Sequence, residues 1–522
     1  MARGRQSFLS GAAVLSSAVA ITKVLGALYK IPLGNLLGSE GMAHFYAAYN
    51  VFNVLVMLCA GMPAAISRVV SQYCALGRRD AARRTFFVGG MLLALLGTTG
   101  SVAMYLLAPQ LAEFLHDPRA QSAIRALSPA LLSMCLCAAV RGYTQGLGDM
   151  RPTAVSQVLE SAGKLVVGLG ACRILLRRGF SADIAASGAL WGVGAGGLLA
   201  LLYLAVKVKH LPRCGMVLSA DGKMAGTLLR IAVPITIGAA GMSVLTLLDQ
   251  ALVLRVLRHS LGYSAQQAVT AYGEYTFSMT LFVLAPSLII PLSSALMPCV
   301  SGALAAGREK EAARFAQQAL RLAASVGMPV GVGLSCLARP ILELLYPAQP
   351  QMVPAAAWHL RLLGIAAVFV GLAAVSGGIL QAYGKHWVPL AALAAGGGAK
   401  VLCDTILVAR REIAVRGVSI GTLVCYILIG AIQLQAVRRC SAGAQNPGAL
   451  LWPSGLGAAT MAVAIDSLYG LLLRWLPLPA ACLGAVLGGG AVYLILMPAL
   501  GGFTVPEWKR LLVRIGRRRR FS

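Results

Sequence analysis

The chain has 522 residues, of which 58% are hydrophobic and 12% charged, and its mean hydropathy is +0.77; these values exclude a soluble enzyme and indicate a multi-span membrane protein. A net charge of +28 would suggest nucleic acid in a soluble protein, but in a membrane chain it fits basic loops on an anionic leaflet and an anionic substrate, with no nucleic acid expected. The 12 cysteines lie mostly inside apolar segments, as Cys135 and Cys137 do, and read as small buried residues; no cofactor and no metal is expected.

In chain order, the first predicted helix runs from about Phe8 to Leu33 and carries Lys23 and Lys30. Seven residues are about two helical turns, so the two ammonium groups share roughly one face. A charge at membrane depth costs roughly 2.5–3.5 kcal/mol on insertion scales and marks a pathway or a site. Lys30, near the helix end, is expected to snorkel to water. Lys23 has too much helix on either side to snorkel and is expected to face a cavity. After a polar turn at 34–41, a second span covers about Ala43 to Leu76, and Gly61 and Pro63 within it, like Gly26 before them and Pro286 later, are expected to bend their helices. Arg68 either lines a cavity or sits at the cytoplasmic interface.

The basic stretch Gly77 to Arg84 is expected in the cytoplasm, and further spans are predicted at about 86–108, 122–146, 152–175 and 183–206. A polar linker, 211–228, follows. The remaining spans are predicted at about 229–257, 266–304, 315–337, 356–383, 388–409, 414–437, 449–473 and 477–500. The expectation is an all-α polytopic protein of fourteen transmembrane helices. The N-terminal lobe is 1–210, the second six-helix lobe 229–440, helices 13 and 14 lie within 449–500, and 501–522 is a basic tail. Basic loops near 80, 210, 310 and 438 put both termini in the cytoplasm.

The halves repeat. Gly77, Arg78, Ala82 and Arg84 recur 230 positions later as Gly307, Arg308, Ala312 and Arg314. Gln145, Gly148 and Lys164 recur 236 positions later as Gln381, Gly384 and Lys400, and Ala48, Tyr49 and Pro63 recur 223 later as Ala271, Tyr272 and Pro286. The same order and loop polarity predict a parallel repeat about the membrane normal.

No enzyme signature is present; Gly396 to Gly398 follow no strand and read as close helix packing. The chemistry lies in charges at membrane depth: Lys23, Lys30, Arg68, Arg141, Lys164 and Lys400, with Glu160, Asp249, Glu274, Asp404 and Asp466. Glu160–Lys164 and Lys400–Asp404 are four apart and can pair on one helix, the former read as a structural pair. Asp249 is expected within salt-bridge reach of Lys400. The excess of cations in the first lobe suits a polyanion such as a diphosphate.

Phe8 through Leu33, then Gly61 to Arg68, resemble the stage V sporulation protein B family, in the polysaccharide-exporter branch of the multidrug/oligosaccharidyl-lipid/polysaccharide flippase superfamily. Asp249, Tyr272-Gly273 and Gly417 to Thr422 extend the resemblance over nearly the whole chain. The family is similar to lipid II flippases. The resemblance implies two lobes around a cationic cavity, with Lys23 and Gly26 matching a cation-then-glycine pattern in the first helix. Lys23, Lys30, Arg68 and Arg141 are then substrate-binding candidates, and helices 13 and 14 form a groove for a polyprenyl tail. Some relatives hold a cation between helices 7 and 11; Asp249 and Asp404 match that set, while Lys400 departs from it and its ammonium stands in the cation's place. The implied function is flipping of an undecaprenyl-diphosphate-linked saccharide, lipid II or a related cell-wall or spore-cortex precursor, across the cytoplasmic membrane. Anionic lipids and cell-wall or polysaccharide synthases are candidate partners. The alternatives are a multidrug cation antiporter of the same superfamily and a non-transporting scaffold for polysaccharide synthesis.

Overall fold

The structure, a computed structural model, describes residues 2–209, 222–287, 289, 296–441 and 447–500. Among these residues it is built from helices, with no strand. In a bilayer only a helix or a closed barrel satisfies every backbone polar group, and long apolar runs without strand-like alternation select the helix. The first half comprises α1 (Ala2–Leu58), α2 (Gly61–Ala75), α3 (Arg79–Leu106), α4 (Ala108–Phe114), α5 (Gln121–Gly146), α6 (Arg151–Gly163), a π turn (Lys164–Gly168), α7 (Leu169–Arg177), α8 (Ala182–Lys209) and α9 (Gly222–Leu261). Then follow α10 (Ala265–Phe282), α11 (Met297–Ala305), α12 (Glu309–Cys336), α13 (Ala338–Leu345), α14 (Val353–Ala382), α15 (Trp387–Val408), α16 (Arg416–Cys440), α17 (Pro447–Leu472) and α18 (Leu478–Ala499).

Eleven described helical segments are long and apolar enough to cross a membrane, against the fourteen expected. Three features account for the difference. The first two expected spans run together through Ser17–Ala75. The fifth is interrupted by the π turn between α6 and α7. The eighth is divided: α10 ends at Phe282, Val283 forms a turn, and Pro286 lies within a separate helical stretch at 284–287 that precedes α11.

The breaks have local causes. At Gly38 the backbone takes φ 64° and ψ −171°, a region essentially reserved for glycine, and this kinks α1 where the polar turn was expected. The bend expected at Gly61 is an interruption at Cys59–Ala60. There the Gly61 N–H donates to Thr236 Oγ1 (3.2 Å), and a Cβ at 61 would run into the Ala232 carbonyl. Pro63 falls in the first turn of α2, where a missing N–H costs nothing, so it starts the helix rather than bending it.

The chain forms two compact units, Met1–Gly273 and Glu274–Ser522. In the first, α5 packs against α2, α3 and α8, and α1 against α6, α8 and α9. In the second, α14 packs on α12 and α16, α15 on α16, and α17 on α12 and α18. Ile289, Leu320, Leu372 and Ile379 form one core there; Met461, Ile465 and Tyr493 form another, under α17 and α18. The compact division therefore falls at Gly273 and not in the 211–228 linker, of which 211–221 lies outside the described residues along with the 501–522 tail. The reason is that α9 packs on α1 and α2, with a buried hydrogen bond from Asn50 Nδ2 to Gln250 Oε1 (2.7 Å).

The sequence repeat is matched in the backbone. Gly77 and Gly307 both take positive φ (72° and 69°), and the next residues, Arg78 and Arg308, share an unusual conformation (φ −86°, ψ 70° and φ −94°, ψ 66°). Each leads into a helix of 28 residues, α3 and α12, followed by the short α4 and α13. Gly148 and Gly384 likewise share φ of 85° and 74°.

Candidate functional site

The Gly38 kink sets the second leg of α1 beside the first, and this gives Lys30 its surroundings. Its Nζ donates to Tyr46 Oη (3.1 Å) and lies 4.8 Å and 5.6 Å from the ring centres of Tyr46 and Tyr49. Tyr46 and Tyr49 are three apart and so share a helix face. Phe45 stacks on Tyr49 (5.6 Å, 12°), which holds the aromatic wall. Lys30 is thus half-buried and engaged with a hydroxyl and two π faces, a correction to the expectation that it snorkels. Lys23, two turns earlier, is exposed, and the space beside Gly26 is open rather than a tight bend. Arg68 is exposed as well.

Beside Lys30 stands a buried ionic cluster. Glu160, on α6, accepts from Lys164 Nζ through Oε1 (2.7 Å) and from Arg141 through Oε2 (3.1 Å). Arg141 Nε also donates to Ser156 Oγ (2.9 Å). Lys164 and Lys30 lie within electrostatic range of each other and of Tyr49. Two cations, Arg141 and Lys164, therefore hold one carboxylate, and a third, Lys30, lies within electrostatic range of Lys164. Lys164 opens the π turn, whose wider winding re-aims side chains and recurs at functional sites. Glycines allow the close crossing with α8: a Cβ at Gly196 would strike the Glu160 carbonyl, and one at Gly192 would strike Gly168.

Of the substrate-binding candidates, the structure brings Lys30 and Arg141 into this neighbourhood. It adds Lys164, Glu160, Tyr46 and Tyr49, which the sequence reading did not select as a site. The signal available was the Glu160–Lys164 spacing, which reports a pair but not the third member from α5.

In the second unit, Lys400 Nζ donates to Asp404 Oδ2 (3.0 Å), Thr422 Oγ1 (3.0 Å) and the Val418 carbonyl (3.4 Å). The expected i,i+4 pair is formed and is buried between α15 and α16. Carboxylate, hydroxyl and carbonyl oxygens are the donors a hard cation takes, but here the ammonium fills the set, so these residues do not fit a free metal ion. A Cβ at Gly421 would strike Asp404 Oδ1, which explains the glycine. Asp249 is buried on α9, within the first unit.

The polysaccharide biosynthesis protein family model matches residues 8–303, more than half of the chain, and a MatE model matches residues 234–404. The chain belongs to the polysaccharide biosynthesis protein family. Among curated relatives from Bacillus subtilis (strain 168), it is 27% identical to the uncharacterized membrane protein YabM over 95% of this chain and 93% of that one. It is 28% identical to stage V sporulation protein B over 66% and 67% of the two chains, and 26% identical to the lipid II flippase MurJ over 77% of each. In fold it is similar to a lipid II flippase MurJ in an inward closed conformation (TM-score 0.69, 14% identity, 96% of this chain and 99% of that one). An inward-facing MATE transporter of the MOP superfamily gives the same TM-score of 0.69 at 16% identity, over 82% of this chain and 98% of that one. The chain is a multi-pass membrane protein of the polysaccharide biosynthesis family with a MOP-superfamily transporter fold.

Proposed function

We propose that the chain is a flippase for an undecaprenyl-diphosphate-linked saccharide, lipid II or a related cell-wall or spore-cortex precursor, in the cytoplasmic membrane with both termini inside. The observation that carries this reading is the pair of cations, Arg141 and Lys164, on the Glu160 carboxylate in the first unit, with Lys30 within electrostatic range of Lys164. An anion entering a low-dielectric interior needs pre-placed cations, because water no longer solvates it. Charge-assisted contacts contribute roughly 1.5–3 kcal/mol each. Lys30, Lys164 and Arg141 are the diphosphate ligands in this reading, with the exposed Lys23 and Arg68 attracting the headgroup. Helices α17 and α18 are the candidates for the lipid-tail groove. The similarity to the B. subtilis lipid II flippase supports the substrate class.

The test is a leaflet-accessibility assay of lipid II in cells depleted of their native flippase and supplied with this gene. Restored exposure of lipid II on the outer leaflet supports the reading, and normal membrane levels of the protein without exposure refute it for lipid II. A second reading, a multidrug cation antiporter, is favoured by the MatE match over 234–404. It predicts efflux of organic cations, which the cation excess around Lys30 would repel.

A further inference from the structure

We propose that Glu160 is an internal competitor for the substrate's phosphates: its carboxylate holds Arg141 and Lys164 while the site is empty, gives them up when a phosphate arrives, and takes them back to drive release. This inference rests on the proposed function and adds to it a residue that sets affinity and turnover.

The geometry suits exchange. Each Glu160 oxygen serves a different cation, Oε1 for Lys164 and Oε2 for Arg141, so the carboxylate occupies the positions that two phosphate oxygens would take. Lys30 is held by neutral groups, the Tyr46 hydroxyl and the faces of Tyr46 and Tyr49, so its charge is uncompensated by this contact set and meets an incoming anion first. Arg141 need not swing when Glu160 is displaced. Its Nε stays on Ser156 Oγ, itself buried and anchored by donating to the Thr153 carbonyl (2.9 Å), and this fixes the plane of the guanidinium.

Accessibility separates this cluster from a sealed structural pair. The side chains of Lys164, Arg141 and Glu160 keep 19%, 13% and 9% of their surface, whereas those of Lys400 and Asp404 in the second unit keep 8% and 1%. A ligand that must leave each cycle cannot sit on a cluster of uncompensated cations without a counter-anion, because tight ground-state binding slows release. Glu160 is a counter-anion placed at that spot.

The experiment measures binding of farnesyl diphosphate and of inorganic pyrophosphate to the full chain in nanodiscs, with dissociation rates. Glu160→Gln keeps the shape and removes the competing charge. It is expected to tighten binding about tenfold, slow dissociation by a similar factor and reduce flipping. Lys164→Gln, which leaves the Arg141–Glu160 pair in place, is expected to weaken binding about tenfold, and it serves if Glu160→Gln does not accumulate. A folded Glu160→Gln with unchanged or weaker affinity overturns the proposal, as does a Lys164→Gln with wild-type affinity. Wild-type protein that binds neither diphosphate refutes the functional reading itself. Binding of pyrophosphate as tightly as of the prenyl compound identifies the diphosphate alone as the ligand and supports the exchange at Glu160.

Discussion

Lys164 and Lys400 occupy the same place in the two halves, 236 positions apart, and they have been put to different uses. Lys164 pairs with a carboxylate one turn before it, Lys400 with one a turn after it. The substitutions are reciprocal at that offset: Glu160 corresponds to Gly396, Arg141 to Gly377 and Asp404 to Gly168. Where one half has an acid the other has a glycine, and each glycine is used for close packing, Gly396 against the Cys425 carbonyl and Gly168 against the Ala189 carbonyl. Moving the carboxylate by two turns along a repeated scaffold converts a two-cation cluster with exposed edges into a closed pair capped by Thr422 and Val418. Charge placement, together with the π turn that Lys164 opens where Lys400 sits in an unbroken α-helix, distinguishes a candidate binding site from a structural lock.

Lys400→Ala is expected to have the largest effect on stability. It removes the ammonium that pairs with the buried Asp404 carboxylate and is expected to cost about 3–5 kcal/mol of stability, seen as a large fall in the thermal unfolding temperature in detergent. Lys164→Ala should cost clearly less, because Arg141 still holds Glu160, yet it should remove most flipping. Equal stability losses for the two variants would erase the distinction between lock and site. Lys30→Ala comes next: it should lower flipping by about tenfold or more with little change in expression, since one charge-assisted contact is lost and a membrane charge is removed. Lys23→Ala should have a smaller effect than Lys30→Ala in the same complementation assay, the reverse of the order the sequence suggests.

The smallest expected effect lies outside the membrane spans, at His116. Burial pushes its imidazole below the usual histidine range, Arg258, His259 and Arg255 push the same way, and the Phe114 carbonyl opposes them. With the folded value depressed, the unfolded chain binds the proton more readily, so stability is lost as pH falls through the ordinary imidazole range and is unaffected above it. His116→Gln should flatten the acid side of the unfolding profile slightly, with no change at pH 8.

Much of the fold was legible from local rules. Apolar runs of bilayer length specify helices without reference to anything else in the chain, and the glycines at 77, 148, 307 and 384 that mark the sequence repeat all take positive φ. The span count was less legible, because a glycine kink at 38 and a π turn at 164–168 change how a helix runs without changing its hydropathy. The domain boundary was not legible either. The polar linker looked like the division, but Gly61 against Ala232 and Asn50 against Gln250 bind α9 into the first unit.

The charged residues draw the same line. Pairs four residues apart, Glu160–Lys164 and Lys400–Asp404, were determined by sequence alone, since helical periodicity places them together wherever the helix goes. The choice between Lys23 and Lys30 was not. Both stand on roughly one face of α1, seven residues apart, and nothing local distinguishes them. The kink at Gly38 brings Tyr46 and Tyr49 to Lys30, and the packing of α1 on α6 and of α5 beside α6 adds Lys164 and Arg141. Contacts between residues far apart in the chain depend on how helices cross, and crossing is decided by the shapes of whole faces, down to the glycines that let α8 approach α6.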